Sequence, residues 1–215
     1  PATGVSGDMY LVMDSLQWKG PLGNLLDSIF NAEMRGLPRT ENIYNMHWID
    51  SRKLNFLLKQ RRNLIFATTL DQRSYGAGII KKNFTEEFIQ KIKSDPNLFV
   101  STSKNVFAKG QDVMYLYGNT ERELIKNVQK NSQQLIDHFD KNERERLSAS
   151  LLKSNQQKGV RDWIRKNMQA ELQVPFGYKL VMNEKDFLWV RQINPRDDKD
   201  IFIARKKYFS PEQFT

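Results

Sequence analysis

Two basic clusters are the residues whose type and spacing point most directly to chemistry. Lys158, Arg161 and Arg165 recur at helical intervals, so a helix near residue 160 sets them on one face, opposite Trp163 and Ile164. Arg205-Lys206-Lys207 adds three cations from the end of the last strand. Were the six to converge, they would form an anion-binding surface; apart, they are a solvated basic face.

Catalytic patterns are missing. The sequence has no Gly-x-Ser-x-Gly elbow, no Walker loop and no His-Glu-x-x-His. Gly76-Ala77-Gly78 lacks the third glycine of a dinucleotide fingerprint and reads as part of a loop. His47 lies in a strand between Met46 and Trp48, where a packed, hydrogen-bonded role is expected, and His138 is expected to face solvent beside Asp137. Glu143 and Glu145 alternate with Arg144 and Arg146, which suits an ion-paired helix surface better than paired catalytic acids. The reading is therefore no catalytic set, no metal set and no cofactor. Trp18 and Trp189 could line a pocket, although aromatics on amphipathic elements belong more often to a core.

Composition sets the outer bounds. With 39% hydrophobic and 27% charged residues the chain is globular rather than disordered, and no apolar run reaches the ~20 residues a membrane span requires. Zero cysteines remove disulfides, thiol catalysis and cysteine metal sites. A net charge of +9 favours acidic partners: nucleic acid, anionic lipid or polyanionic glycan.

The elements that would position these residues follow from periodicity and punctuation. Pro1–Gly7, small and aperiodic, reads as a linker remnant (1–7). Asp8–Asp14, Ile43–Ile49 and Asn63–Leu70 read as strands. A helix follows Gly20-Pro21 with Leu22, Leu25, Leu26, Ile29 and Phe30 on one face. Asp50 or Ser51 caps a short helix carrying Leu54, Leu57 and Leu58. Asp71–Lys82 is expected to be a glycine-containing loop, ahead of a helix over Thr85–Lys93. Leu98–Ala108 and Asp112–Tyr117 form a hairpin, so the sheet should be mixed. Thr120 with Glu123 makes a capping box for the longest helix, with a bend or break expected at Lys141–Arg146. Tyr178–Met182, Phe187–Ile193 and Ile201–Tyr208 are three further strands, joined by turns at Asn183–Asp186 and Asn194–Asp198. Ser210-Pro211 with Gln213 reads as the start of a helix that the chain does not complete, which predicts a fragment of a longer protein.

The expected fold is α+β with an α/β-like N-terminal part: a mixed sheet covered by helices, one long helix, and a C-terminal antiparallel three-stranded segment. The expected division is an α/β lobe over 8–156 and the start of a second α+β lobe over 157–215.

Several motifs together carry a resemblance. Gly7-Asp8-Met9-Tyr10-Leu11-Val12-Met13-Asp14, Trp18-Lys19-Gly20-Pro21-Leu22-Gly23, Asn142-Glu143-Arg144-Glu145-Arg146, and Val174-Pro175-Phe176-Gly177-Tyr178 leading to Phe187-Leu188-Trp189-Val190-Arg191 follow one another in order. Along the whole chain they resemble an uncharacterised family of Bacteroidota known only as a domain of unknown function. Its members look like exported lipoproteins, which implies a lipidated cysteine upstream of Pro1 and a place in the cell envelope, on the periplasmic side or the outer-membrane surface. The resemblance implies no activity and no catalytic residues.

The leading functional expectation is a non-enzymatic, membrane-tethered envelope module that binds a partner protein or an anionic glycan or lipid. One alternative is a nucleic-acid-binding protein using the basic face, a partner that an envelope location disfavours. Another is an enzyme whose carboxylates are dispersed in sequence.

Overall fold

The computed structural model describes residues 1–34, 36–152, 156–195 and 198–214. It contains two compact units, 1–143 and 144–215.

In the first unit, strands β1 (Asp8–Met13), β2 (Asn45–Asp50), β3 (Asn63–Thr69), β4 (Val100–Lys104) and β5 (Asp112–Gly118) form a sheet of order β2-β1-β3-β5-β4. All neighbours are parallel except β4, which runs antiparallel to β5, so the expected mixed sheet is found. β3 is buried along its whole length, as a strand covered on both faces must be.

Side-chain alternation sends successive residues of the central strands into different layers. Met9, Leu11 and Met13 of β1, with Ile65, Ala67, Met114 and Leu116, face helices α2 (Pro21–Phe30), α6 (Glu121–Lys130) and α7 (Ser132–Leu152). Leu22, Leu26 and Phe30 of α2 fill this layer, on the face read from the sequence, and Phe30, Tyr44 and Phe139 meet edge to face. Val12, Leu64, Phe66 and Val113 form the other layer with Ile49 and Ile80.

The connections depart from expectation in three places. The short helix after β2 is two pieces: a 3-10 turn, Ser51–Lys53, capped by Asp50, and α3 (Phe56–Lys59), capped by Asn55. Residues 71–82 are not all loop. They contain α4 (Tyr75–Lys81), capped by the Ser74 hydroxyl on the Ala77 N–H at 3.2 Å, and tertiary burial of Gly76, Ala77 and Ile80 outweighs the poor helix propensity of two glycines. The long helix breaks at Asn131, between α6 and α7, and runs unbroken through 141–146. That stretch is anchored by Glu143, which accepts from Asn63 Nδ2 at 2.7 Å and from Ser6 Oγ at 2.9 Å. The α1 turn (Ser15–Trp18) and α5 (Glu86–Ser94) complete the unit.

In the second unit, α8 (Lys158–Met168) lies with an antiparallel sheet of order β6-β7-β8 (Lys179–Glu184, Phe187–Gln192, Lys199–Ala204). Val160, Ile164, Met168, Val174, Leu188 and Val190 are its core. β6 continues through Asn183 and Glu184, leaving Lys185 and Asp186 as the turn. The second expected turn includes Arg196 and Asp197, which lie outside the described residues. β8 ends at Ala204 rather than Tyr208: Ala204 pairs with Phe187, the first residue of β7, and past it the Arg205 N–H donates to the Asp186 carbonyl in the turn at 2.8 Å. Pro211–Phe214 is a 3-10 turn, and Gln213 Oε1 accepts from the backbone N–H groups of Phe209 and Ser210.

Candidate functional site

Parallel sheets present ligand sites at the carboxyl ends of their strands, where the strand order reverses. Here that place is between β1 and β3, and the protein's own groups occupy it. Asp14, 3% exposed, accepts from the Leu16 N–H at 2.9 Å. Asp50 accepts from the Arg52 N–H and Nε, both at 3.0 Å. The Asp71 carboxylate takes the Glu121 N–H at 3.2 Å, and Glu121 in turn takes the Leu22 N–H at 3.3 Å. Each of these acids caps a helix or turn. Lys81 Nζ donates to the carbonyls of Thr69, Leu70 and Gln72, and burial lowers its pKa, partly offset by Asp71. A Cβ on Gly76 would stand 2.5 Å from Asp14 Oδ1 and 2.8 Å from Ser51 Oγ, so this glycine brings α4 against the sheet instead of cradling a phosphate.

His138 does not simply face solvent. Its Nε2 lies 3.1 Å from the carboxylate of Asp112, itself 1% exposed, and Asn142 Nδ2 donates to the other carboxylate oxygen. The i, i+4 spacing of His138 and Asn142 is the sequence signal for this cluster. His47 is tied to Asp8 at 3.3 Å and stacks on Tyr10, in keeping with its expected structural role. Trp18 stacks on Trp48, and Trp189 donates through Nε1 to Asp200.

The six cations read from the sequence fall into two groups in the second unit. On α8, Lys158 is exposed, Arg161 pairs with Asp162 at 3.2 Å, and Arg165 pairs with Glu171. After β8, Arg205 pairs with Asp186 at 2.7 Å. Lys206 and Lys207 form no ion pair among the described residues, and Lys207 Nζ sits 5.4 Å from the Phe209 ring centroid. Arg205, Lys206 and Lys207 line a cavity of about 440 Å³ whose apolar wall includes Met168, Ala170 and Ile203. Lys158, Arg161 and Arg165 are not among its lining. Periodicity alone cannot show this cavity, since its wall joins the end of a helix to the end of a strand.

The chain as a whole holds 34 Lys and Arg against 25 Asp and Glu; residues 144–215 contain 15 of those cations and only 9 of the acids. Most of the charge excess is therefore in the unit with the cavity.

No curated protein and no solved structure matches the chain. Residues 2–152 match the family described as Domain of unknown function (DUF8532), so of the resemblance expected along the whole chain a domain of unknown function is found over that stretch, and the chain belongs to that family.

Proposed function

We propose that the chain is a binding module of the cell envelope, lipid-tethered through a cysteine upstream of Pro1, which takes an anionic amphiphile in the cavity beside Arg205, Lys206 and Lys207. The carrying observation is the cavity's mixed wall: an apolar side formed by Met168, Ala170 and Ile203 next to two lysines without carboxylate partners among the described residues. An acyl chain could bury apolar area while its anionic head meets the ammonium groups. The envelope location is supported by the resemblance of the Gly7–Asp14, Trp18–Gly23 and Val174–Tyr178 motifs to exported lipoproteins.

Vesicles of phosphatidylglycerol and of phosphatidylcholine test the binding. The double variant Lys206→Glu/Lys207→Glu is expected to weaken binding to the anionic vesicles by about ten-fold or more, from roughly 1 kcal/mol per basic residue at an anionic surface. Arg161→Glu/Arg165→Glu is expected to change it far less, because both arginines already have acidic neighbours. Equal effects of the two double variants would dismiss the cavity. Fatty-acid labelling and fractionation of the full-length protein test the location. Unlabelled protein in the cytosol would replace this reading with nucleic-acid binding, which shows a steep salt dependence.

A further inference from the structure

β4 is the outermost strand on one side of the five-stranded sheet. Phe99 O accepts from Tyr117 N, and Asn105 N donates to Gln111 O, so the odd-numbered residues of this stretch bond toward β5. By alternation, Val100, Thr102 and Lys104 turn their backbone N–H and C=O groups away from the sheet. Thr102 and Lys104 are exposed, and such an edge is a template for an added strand.

A cavity adjoins each face of this edge. On the Ser101 and Tyr115 face, Phe84 and Phe88 help to line about 370 Å³. On the Val100 and Thr102 face, Gln134 and His138 help to line about 210 Å³. A strand laid beside β4 would send successive side chains alternately into these two spaces. The two faces also differ in chemistry. One is aromatic; the other offers the Gln134 amide and the imidazole of His138, whose Nε2 is already held by Asp112, and alternation places Lys104 on it. The stretch Pro96–Gln111 contains Lys104 and Lys109 but no Asp or Glu.

We propose that β4 is a docking edge for an extended segment of a partner protein in which acidic and large apolar residues alternate. Main-chain hydrogen bonds to Val100 and Thr102 hold the segment, its apolar side chains enter the Phe84, Phe88 and Tyr115 cavity, and its carboxylates face Gln134, His138 and Lys104. A second copy of the chain is a poorer occupant, because pairing β4 with itself joins two chains of net charge +9. The site belongs to the first unit and does not depend on the cavity of the second.

The probe is a fluorescein-labelled peptide, Glu-Phe-Glu-Val-Glu-Phe-Glu, compared with a scrambled peptide of the same composition, both titrated into the 1–215 chain. The alternating peptide is expected to bind about ten-fold or more tightly than the scrambled one, as strand addition requires. The amides of Val100 and Thr102 should gain hydrogen-exchange protection. Thr102→Pro removes an outward N–H but no β4–β5 hydrogen bond, so the fold should persist while binding falls by about ten-fold or more. Equal binding of the scrambled peptide, unchanged binding by Thr102→Pro, or no binding of either peptide at millimolar concentration would overturn the proposal. So would a concentration-dependent dimer that protects the same amides, which would assign the edge to a second copy.

Discussion

At the end of β2 the Asp50 carboxylate receives both the Arg52 backbone N–H and its guanidinium, with Nε at 3.0 and 3.1 Å from the two oxygens. The side-chain bond from Arg52 is the main reason that its pKa lies below the ordinary value near 3.8; burial opposes it. Because folding lowers the pKa, the stabilisation is complete above the ordinary value and is lost as pH falls through the lower, folded one. Asp50→Asn is expected to cost about 1–2 kcal/mol at neutral pH, the low end for a hydrogen bond to a charged group because the Arg52 side chain is half-exposed, and progressively less in acid. Denaturant unfolding of both proteins across pH 2–7 checks this; a gap that stays constant into acid would show that the charge is not what matters. A cap at Asp50 or Ser51 was legible from its place before a short apolar run, and the structure gives it to Asp50. The role of Asp112 beneath His138 was not, because β5 and α7 meet only in the folded chain.

Elements were legible wherever one local signal sufficed. Thr120 caps α6 as its spacing to Glu123 predicts, with Oγ1 accepting the Glu123 N–H at 3.3 Å. α4 was not legible, since its two glycines read locally as loop and only docking on the sheet shows why one of them is required. Gly76 and Gly78 should therefore respond oppositely to alanine. At Gly76 the new Cβ would collide with Asp14 and Ser51, and overpacking of this kind costs about 1–3 kcal/mol. At Gly78 nothing lies within 4 Å, so Gly78→Ala should stabilise by about 0.5–1 kcal/mol through the helix preference for alanine. Melting curves of the two variants measure the difference, and shifts of the same sign would mean that α4 does not dock as closely as described. The break between α6 and α7 was misplaced for a related reason. Asn131 ends α6 with its side chain on the Asn127 carbonyl at 2.8 Å, while the polar stretch expected to bend is held by Asn63 and Asp112.

At the scale of the whole molecule, the hydrophobic clusters divide as the chain does. The two layers of the first unit draw only on residues up to Phe139, and the third cluster draws only on Val160 and beyond. A chain of residues 1–152 keeps every strand of the five-stranded sheet, all of α7 and the whole stretch that matches the family. It is expected to fold alone with one cooperative thermal transition, since it retains both faces of its sheet covered. Its two tryptophans, Trp18 and Trp48, stack with centroids 5.7 Å apart, so a near-ultraviolet circular dichroism band from that pair should survive the truncation. Anionic-vesicle binding should be lost with residues 153–215, because Lys206 and Lys207 go with them, while binding of the alternating peptide at β4 should remain. A fragment with helical signal but no near-ultraviolet band would show that its core needs the second unit. A fragment that folds and still binds anionic vesicles would move the anion site out of the cavity and into the family domain itself.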